Sequence, residues 1–109
     1  MTAPGGVAAV VLNYRRPDET IDCVRSLLLS EGGAPEIIVV DNNSGDGSAE
    51  RIRRAFPALR LLQTPRNLGY AGGNNAGIRA ALDGGAAFVF VLNNDCTVDP
   101  GAVEALVGE

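Results

Sequence analysis

The stretch Phe88-Val89-Phe90-Val91-Leu92-Asn93-Asn94-Asp95 most constrains what this chain can fold into. Five apolar residues, aromatic and β-branched types among them, run directly into two amides and a carboxylate. An apolar run without polar alternation, too short for a helix, reads as a strand buried on both faces. Such strands belong to parallel sheets covered by helices, and ligands of open α/β sheets bind beyond the strand carboxyl ends. Asp99-Pro100 then reads as an N-cap followed by proline at the first helical position.

Three strand–helix units precede that stretch. Val7–Leu12 is an apolar run that delivers Asn13-Tyr14 to its carboxyl end. Asp18-Glu19 put negative charge on the first turn of a helix running to about Ser30, with Ile21, Val24, Leu27 and Leu28 on one face. Ile37–Val40 is a second strand, ending in the polar turn Asp41-Asn42-Asn43-Ser44-Gly45-Asp46-Gly47. Ser48 is placed to cap a second helix through Phe56, with Ile52 and Phe56 inward. Leu59–Gln63 is a weaker strand, nearer an edge, and the loop Thr64–Gly69 leads into a third helix over Tyr70 to Leu82. Gly72, Gly73 and Gly77 each cost that helix about 1 kcal/mol. Two reasons stand side by side: close packing on the sheet, or close approach of a ligand's phosphates to backbone N–H groups.

The order βαβαβαβα predicts a doubly wound parallel α/β sheet of order 3-2-1-4, helices on both faces, with its switch point between strands one and four. Asn13 and Asn93–Asp95 then flank one crevice, and Asp41 lies one strand further over. At 109 residues the chain has room for one domain. Residues 1–6 read as a disordered lead and 7–109 as the folded part.

Composition narrows the chemistry. Histidine is absent, which removes Ser-His-Asp, Cys-His and histidine–zinc sites from this chain. Lysine is absent too, which argues against a P-loop or a phosphoacceptor receiver site. The net charge of -4 offers no field for nucleic acid. The first βα turn, Asn13-Tyr14-Arg15-Arg16-Pro17, lacks the glycines of a dinucleotide fingerprint. Cys23 and Cys96 stand far apart and read as reduced thiols. No apolar run has membrane-spanning length, and Met1–Gly6 has no signal-peptide character.

What remains is a set of polar strand ends: Asn13, Asp41, Asn43, Arg66 and Asp95. Asp41 can satisfy its own turn or accept from a base N–H or ribose hydroxyl. Asp95 can be a structural cap or a ligand for a hard divalent cation bridging two phosphates. Asp99 already fills the cap position. Arg66 can pair with a phosphate or remain solvated.

Four motifs, Val-Val-Leu-Asn-Tyr-Arg-Arg-Pro, Val-Val-Asp-Asn-Asn-Ser-Gly-Asp-Gly, Arg-Asn-Leu-Gly-Tyr-Ala-Gly-Gly-Asn-Asn-Ala-Gly-Ile and Leu-Asn-Asn-Asp, occur in that order from Val7 to about Val107. Together they resemble a family-2 glycosyltransferase of the GT-A type, most of all its rhamnosyltransferase-like branch. The resemblance implies an inverting transfer from a UDP- or dTDP-linked sugar to a saccharide or lipid-linked acceptor, with manganese or magnesium as cofactor. It implies nucleotide contacts from Asn13, Tyr14, Asp41, Asn43, Arg66, Gly73, Asn74 and Asn94, and a metal contact from Asp95. Asn93 stands where the family's Asp-x-Asp motif begins, and Asn74 where many relatives carry arginine. The general base and the acceptor half are expected beyond residue 109. A cytoplasmic protein is implied, or one peripheral to the inner face of the membrane. The alternative is a stand-alone nucleotide-binding or dimerising module without catalysis; a homodimer fits either.

Overall fold

The computed structural model describes residues 6–29 and 35–93. Seven elements alternate through them: β1 (Val7–Asn13), α1 (Pro17–Leu28), β2 (Glu36–Asp41), α2 (Ser48–Ala55), β3 (Arg60–Gln63), α3 (Gly69–Asp83) and β4 (Phe88–Asn93). The strands form one parallel sheet of order β3-β2-β1-β4, as the strand–helix pattern predicts. Residues 94–109, with Asn94, Asp95, Cys96 and the Asp99-Pro100 helix start, lie outside the described residues.

Two-residue periodicity divides the sheet's side chains between two cores. Ala9, Val11, Ile37 and Val39 meet Ile21, Cys23, Val24 and Leu27 of α1 and Ile52 of α2. Ala8, Val10, Ile38 and Val40 point the other way, toward Ala80 and Ala81 of α3. β1 and β2 are therefore covered on both faces, which is why both read as unbroken apolar runs. Each large side chain so buried contributes about 1.5–3 kcal/mol. Leu28 departs from the expected α1 face: it is 48% exposed, while Thr20 and Cys23 are buried in its stead. It lies one residue past Leu27, about 100° round the helix from the core-facing line.

β4 corrects the opening expectation of a strand buried on both faces. It pairs with β1 on one side, and Phe88 and Val91 are 43% and 40% exposed. Its order in the sheet makes it an edge strand among the described residues, although Val89, Phe90 and Leu92 still pack against the two cores. At its start, the Gly6 carbonyl accepts from the Ala87 and Phe88 N–H groups, at 2.7 and 3.2 Å. No helix among the described residues is long and apolar enough to cross a membrane.

α3 lies against the sheet through two glycines. A Cβ on Gly77 would stand 2.4 Å from Val10 Cγ1 and 3.0 Å from Val40 Cγ2. One on Gly73 would stand 2.6 Å from Leu12 Cδ1 and 3.1 Å from Asn42 Nδ2. Both sit on the sheet-facing side, so close packing accounts for them. Gly77→Ala gains helix propensity of about 1 kcal/mol but must push the helix off two buried valines, a cost of about 1–3 kcal/mol. We expect a net loss of stability, read as a lower denaturant midpoint; a raised midpoint would show that α3 is not seated on Val10.

Candidate functional site

The polar residues of the predicted crevice meet at the carboxyl edge of the sheet because the register brings them level. Asn13 pairs with Asp41, Asp41 with Gln63, and Leu12 with Asn93. Asn13 and Asp41 are buried, and their side chains bond to each other: Asn13 Nδ2 donates to Asp41 Oδ1 at 2.8 Å. Asn13 Oδ1 accepts from Thr20 Oγ1 at 2.6 Å, fixing the first turn of α1 to the end of β1. Asp41 also accepts from Ser44, through Oγ at 2.6 Å and through the backbone N–H at 3.2 Å. The Asp41 carboxylate thus holds its own turn, one of the two roles the sequence left open.

Asn42 does the same work one loop over. Its Oδ1 accepts from Thr64 Oγ1 and from the Leu68 N–H, each at 3.0 Å. Its Nδ2 donates to Asn67 Oδ1 and to the Gly69 carbonyl, also at 3.0 Å each. Every hydrogen-bonding position of that amide is used, and it ties the β2 turn to the start of α3. Thr20, Asn42, Ser44 and Thr64 are the members of this layer that sequence reasoning did not single out. The available signal was the density of short polar side chains directly after β2, where they compete for backbone groups.

Asn74 differs from the rest. It is buried on α3, and among the described residues its Oδ1 has no hydrogen-bond partner. A buried acceptor left in that state costs about 1–3 kcal/mol.

The other candidates line the surface above this layer. Tyr14 is partly exposed, with the Arg15 guanidinium 5.0 Å from its ring centroid. Arg15 and Asn43 adopt left-handed backbone, φ 59° and 62°. Asparagine tolerates that region; arginine there costs about 1–2 kcal/mol. Two bonds to Ser44 hold Arg15 in place, from its N–H to Oγ at 2.9 Å and from Nε to the carbonyl at 3.0 Å. Arg66 is exposed in its loop, its carbonyl 2.8 Å from Thr64 Oγ1. Asn94 and Asp95 are outside the described residues, among which no three His, Cys, Asp or Glu side chains gather. An apolar groove of about 430 Å³, lined by Leu28, Pro35, Phe56 and Leu59, lies at the opposite end of the sheet.

Residues 8–109 match Glycosyl transferase family 2. The chain belongs to that family. Its relatives include the succinoglycan biosynthesis protein ExoO of Rhizobium meliloti, 33% identical over 102 residues, 93% of this chain and 28% of that one. They also include the N-acetylglucosaminyl-diphospho-decaprenol L-rhamnosyltransferase of Mycobacterium tuberculosis, 33% identical over 90 residues, 75% of this chain and 29% of that one. The chain therefore spans under a third of the length of these relatives. In fold it is like S. aureus TarS, solved with UDP, at TM-score 0.77 and 18% identity over 94% of this chain and 31% of that one. It is also like the mannosyltransferase PcManGT from Pyrobaculum calidifontis, solved with GDP-Man and Mn2+, at TM-score 0.68 and 22% identity over 88% of this chain and 30% of that one. The GT-A-like fold expected from the four motifs is thus the fold present.

At the base of α2 this family-2 domain corrects one expectation. Ser48 does not cap the helix: the N-cap is Gly47, and Ser48 is the first helical residue. Asp46 Oδ1 accepts from the Ser48 N–H at 3.0 Å and from Ser48 Oγ at 2.5 Å, so the carboxylate serves the helix start. The Ser48 hydroxyl is the main cause that holds the Asp46 pKa below its ordinary value of 3.8; desolvation opposes it, while backbone N–H groups and the Arg15 charge add to it. A lowered folded-state pKa contributes stability that is present above the ordinary value and lost as pH falls through the folded one. Asp46→Asn should flatten the acid limb of the stability curve below 3.8, read as urea midpoints from about pH 5 down to about pH 3. An unchanged acid limb would remove Asp46 from that role.

Proposed function

We propose that the chain is the donor-binding part of an inverting glycosyltransferase, one that moves a sugar from a nucleoside diphosphate to an acceptor hydroxyl. The observation that carries this is the saturated amide layer at the carboxyl ends of β1 and β2. It holds three loops rigid where open α/β sheets bind ligands, and a site needs such support beneath it. Membership of the family gives the reaction class, and the UDP and GDP-Man of TarS and PcManGT agree with the donor class.

In this reading the nucleotide lies over Asn13, Tyr14, Asn43 and Arg66, with Gly73 and Asn74 on the far side; Asn94 is added by resemblance. Asn13 and Tyr14 contribute mainly backbone. Asp41 meets the base or ribose through Oδ2, the oxygen with a single described donor, at 3.2 Å. The acceptor, a saccharide or lipid-linked hydroxyl, needs a general base to attack the anomeric carbon. No described acid is assigned that part. A divalent cation, manganese or magnesium, is assigned to Asp95. Among the described residues no three His, Cys, Asp or Glu side chains gather to join it.

Calorimetric titration with UDP and dTDP, with and without manganese, tests the reading. Asp41→Ala should weaken binding in both conditions, by about 1.5–3 kcal/mol for a hydrogen bond to a charged group. Asp95→Asn should remove most of the gain that manganese brings. If Asp41→Ala altered only the manganese dependence, the roles of the two acids would be exchanged. If neither nucleotide bound, the donor site would be refuted.

A second reading, a module that pairs with another copy, is favoured by β4. No residue from Phe88 to Asn93 is charged, and its outer edge has no lysine or proline to keep other strands away. Light scattering at high concentration should then show a two-fold dimer. A strictly monomeric profile excludes it.

A further inference from the structure

Asn42 is 2% exposed and stands directly after Asp41, at the end of β2. Its backbone N–H donates to the Asn13 carbonyl at 2.9 Å, continuing the β1–β2 ladder past the last strand residue. Its side chain serves α3 instead. Oδ1 accepts from the Leu68 N–H and Nδ2 donates to the Gly69 carbonyl, each at 3.0 Å. A backbone N–H only donates and a carbonyl only accepts, so this pair of bonds fixes which end of the amide is which. Thr64 Oγ1 and Asn67 Oδ1 complete the set, also at 3.0 Å. Asn67 Oδ1 accepts in addition from the Gly69 N–H, at 2.8 Å. The helix rests on the same group: a Cβ on Gly73 would stand 3.1 Å from Asn42 Nδ2. Leu68, the N-cap residue, offers no side-chain cap, so Asn42 and Asn67 hold the helix entry in its place.

Neighbouring side chains thus serve opposite sides of the crevice. Asp41 holds the end of β1 and its own turn, through Asn13 and Ser44. Asn42 holds the loop that enters α3. A single peptide unit joins them, so they set the position of the first turn of α3 relative to the end of β1. Asn42 has all its hydrogen-bonding positions in use inside the protein and none to offer a ligand. It acts on a ligand only through the groups it places.

We propose that Asn42 is a positioning residue of the donor site: it sets the first turn of α3 against the Asp41 turn, and nucleotide affinity depends on that setting although Asn42 touches no ligand. This rests on the donor-site reading above and adds to it a residue that works from beneath. Aspartate is no equivalent here, because an ionised carboxylate has the same shape but no N–H to give. One of its oxygens would face two acceptors, the Gly69 carbonyl and Asn67 Oδ1. Protonation restores one donor, and such surroundings raise the pH at which it occurs. Arg15 after β1, Asp41 and Asp46 in the β2 turn, Arg66 in the facing loop and the Tyr70 phenol on α3 are the charged or titratable groups of the elements that meet here, and α3 brings no acid in its first turn. All are common to parent and variant.

The test is UDP calorimetry on the chain and on Asn42→Asp from about pH 8 down to about pH 5, at a temperature where unfolding curves show both folded. Taking the affinity ratio of variant to parent at each pH cancels the titration of UDP itself. The variant should bind about tenfold more weakly at the upper end, the scale of one lost hydrogen bond, and approach the parent at the lower end. Asn42→Ala should show the loss at every pH. An asparagine that only stabilises the fold would lower the unfolding midpoint of Asn42→Asp and leave the affinity of the folded protein unchanged; that result overturns the proposal. So does a loss that does not recover as the pH falls. Should Asn42→Asp fail to fold, Asn67→Ala removes one partner of the same amide from an exposed position. It should speed hydrogen exchange at the Leu68 N–H and weaken UDP by about threefold, and equal affinity again overturns the proposal while leaving the donor site standing. Absence of UDP binding by the parent chain refutes the donor site itself, and this proposal with it.

Discussion

The hydrogen bond between the Asn13 amide and the Asp41 carboxylate is the contact on which the working edge of this molecule depends. Two buried polar side chains at the ends of the two central strands would each be costly alone. Together, with Thr20 and Ser44 supplying the remaining partners, they are satisfied. The consequence reaches beyond the pair. Thr20 belongs to α1 and Ser44 to the β2 turn, so one small network sets where α1 starts and how the turn before α2 is shaped. Arg15 is held in a left-handed conformation by the same Ser44. The loops above the sheet are therefore positioned from beneath, by side chains that a ligand need not touch.

The α3 side of the crevice is built differently. Glycines at 73 and 77 bring the helix down onto Leu12, Val10 and Val40. Asn42 then fastens the incoming loop through four hydrogen bonds. Close approach leaves little room, and a polar side chain on that face cannot reach solvent. Asn74 is caught there, which makes a local frustration out of what would be an ordinary surface amide on a helix set further out. Frustration of this kind sits at sites more often than in plain scaffold.

As a family-2 domain the molecule is asymmetric in its finish. The face of β1 and β2 is closed on both sides, whereas β4 offers an apolar edge and the apolar groove by Leu28 and Phe56 stays open. The relatives are more than three times as long as the aligned stretch.

Strand and helix positions were legible in the residues themselves, because β1 and β2 are buried on both faces and carry no polar interruption, and because the 3.6-residue spacing of Ile21, Val24 and Leu27 marks a helix. Sheet order followed from the alternation of elements, and the family from four motifs in sequence. Local cues failed where a tertiary neighbour decided the outcome. Ser48 has the right chemistry for a cap, yet it is the first helical residue, and the Asp46 carboxylate takes both its N–H and its hydroxyl. Leu28 looks like a core residue by spacing, but it lies about 100° round the helix from Leu27 and stays exposed. That Asn42 is a latch, that Gly73 and Gly77 serve packing, and that Asn74 is left without a partner depend on which atoms meet across 25 to 67 residues of chain. Periodicity records which way a side chain faces; only the packed structure records what it finds there.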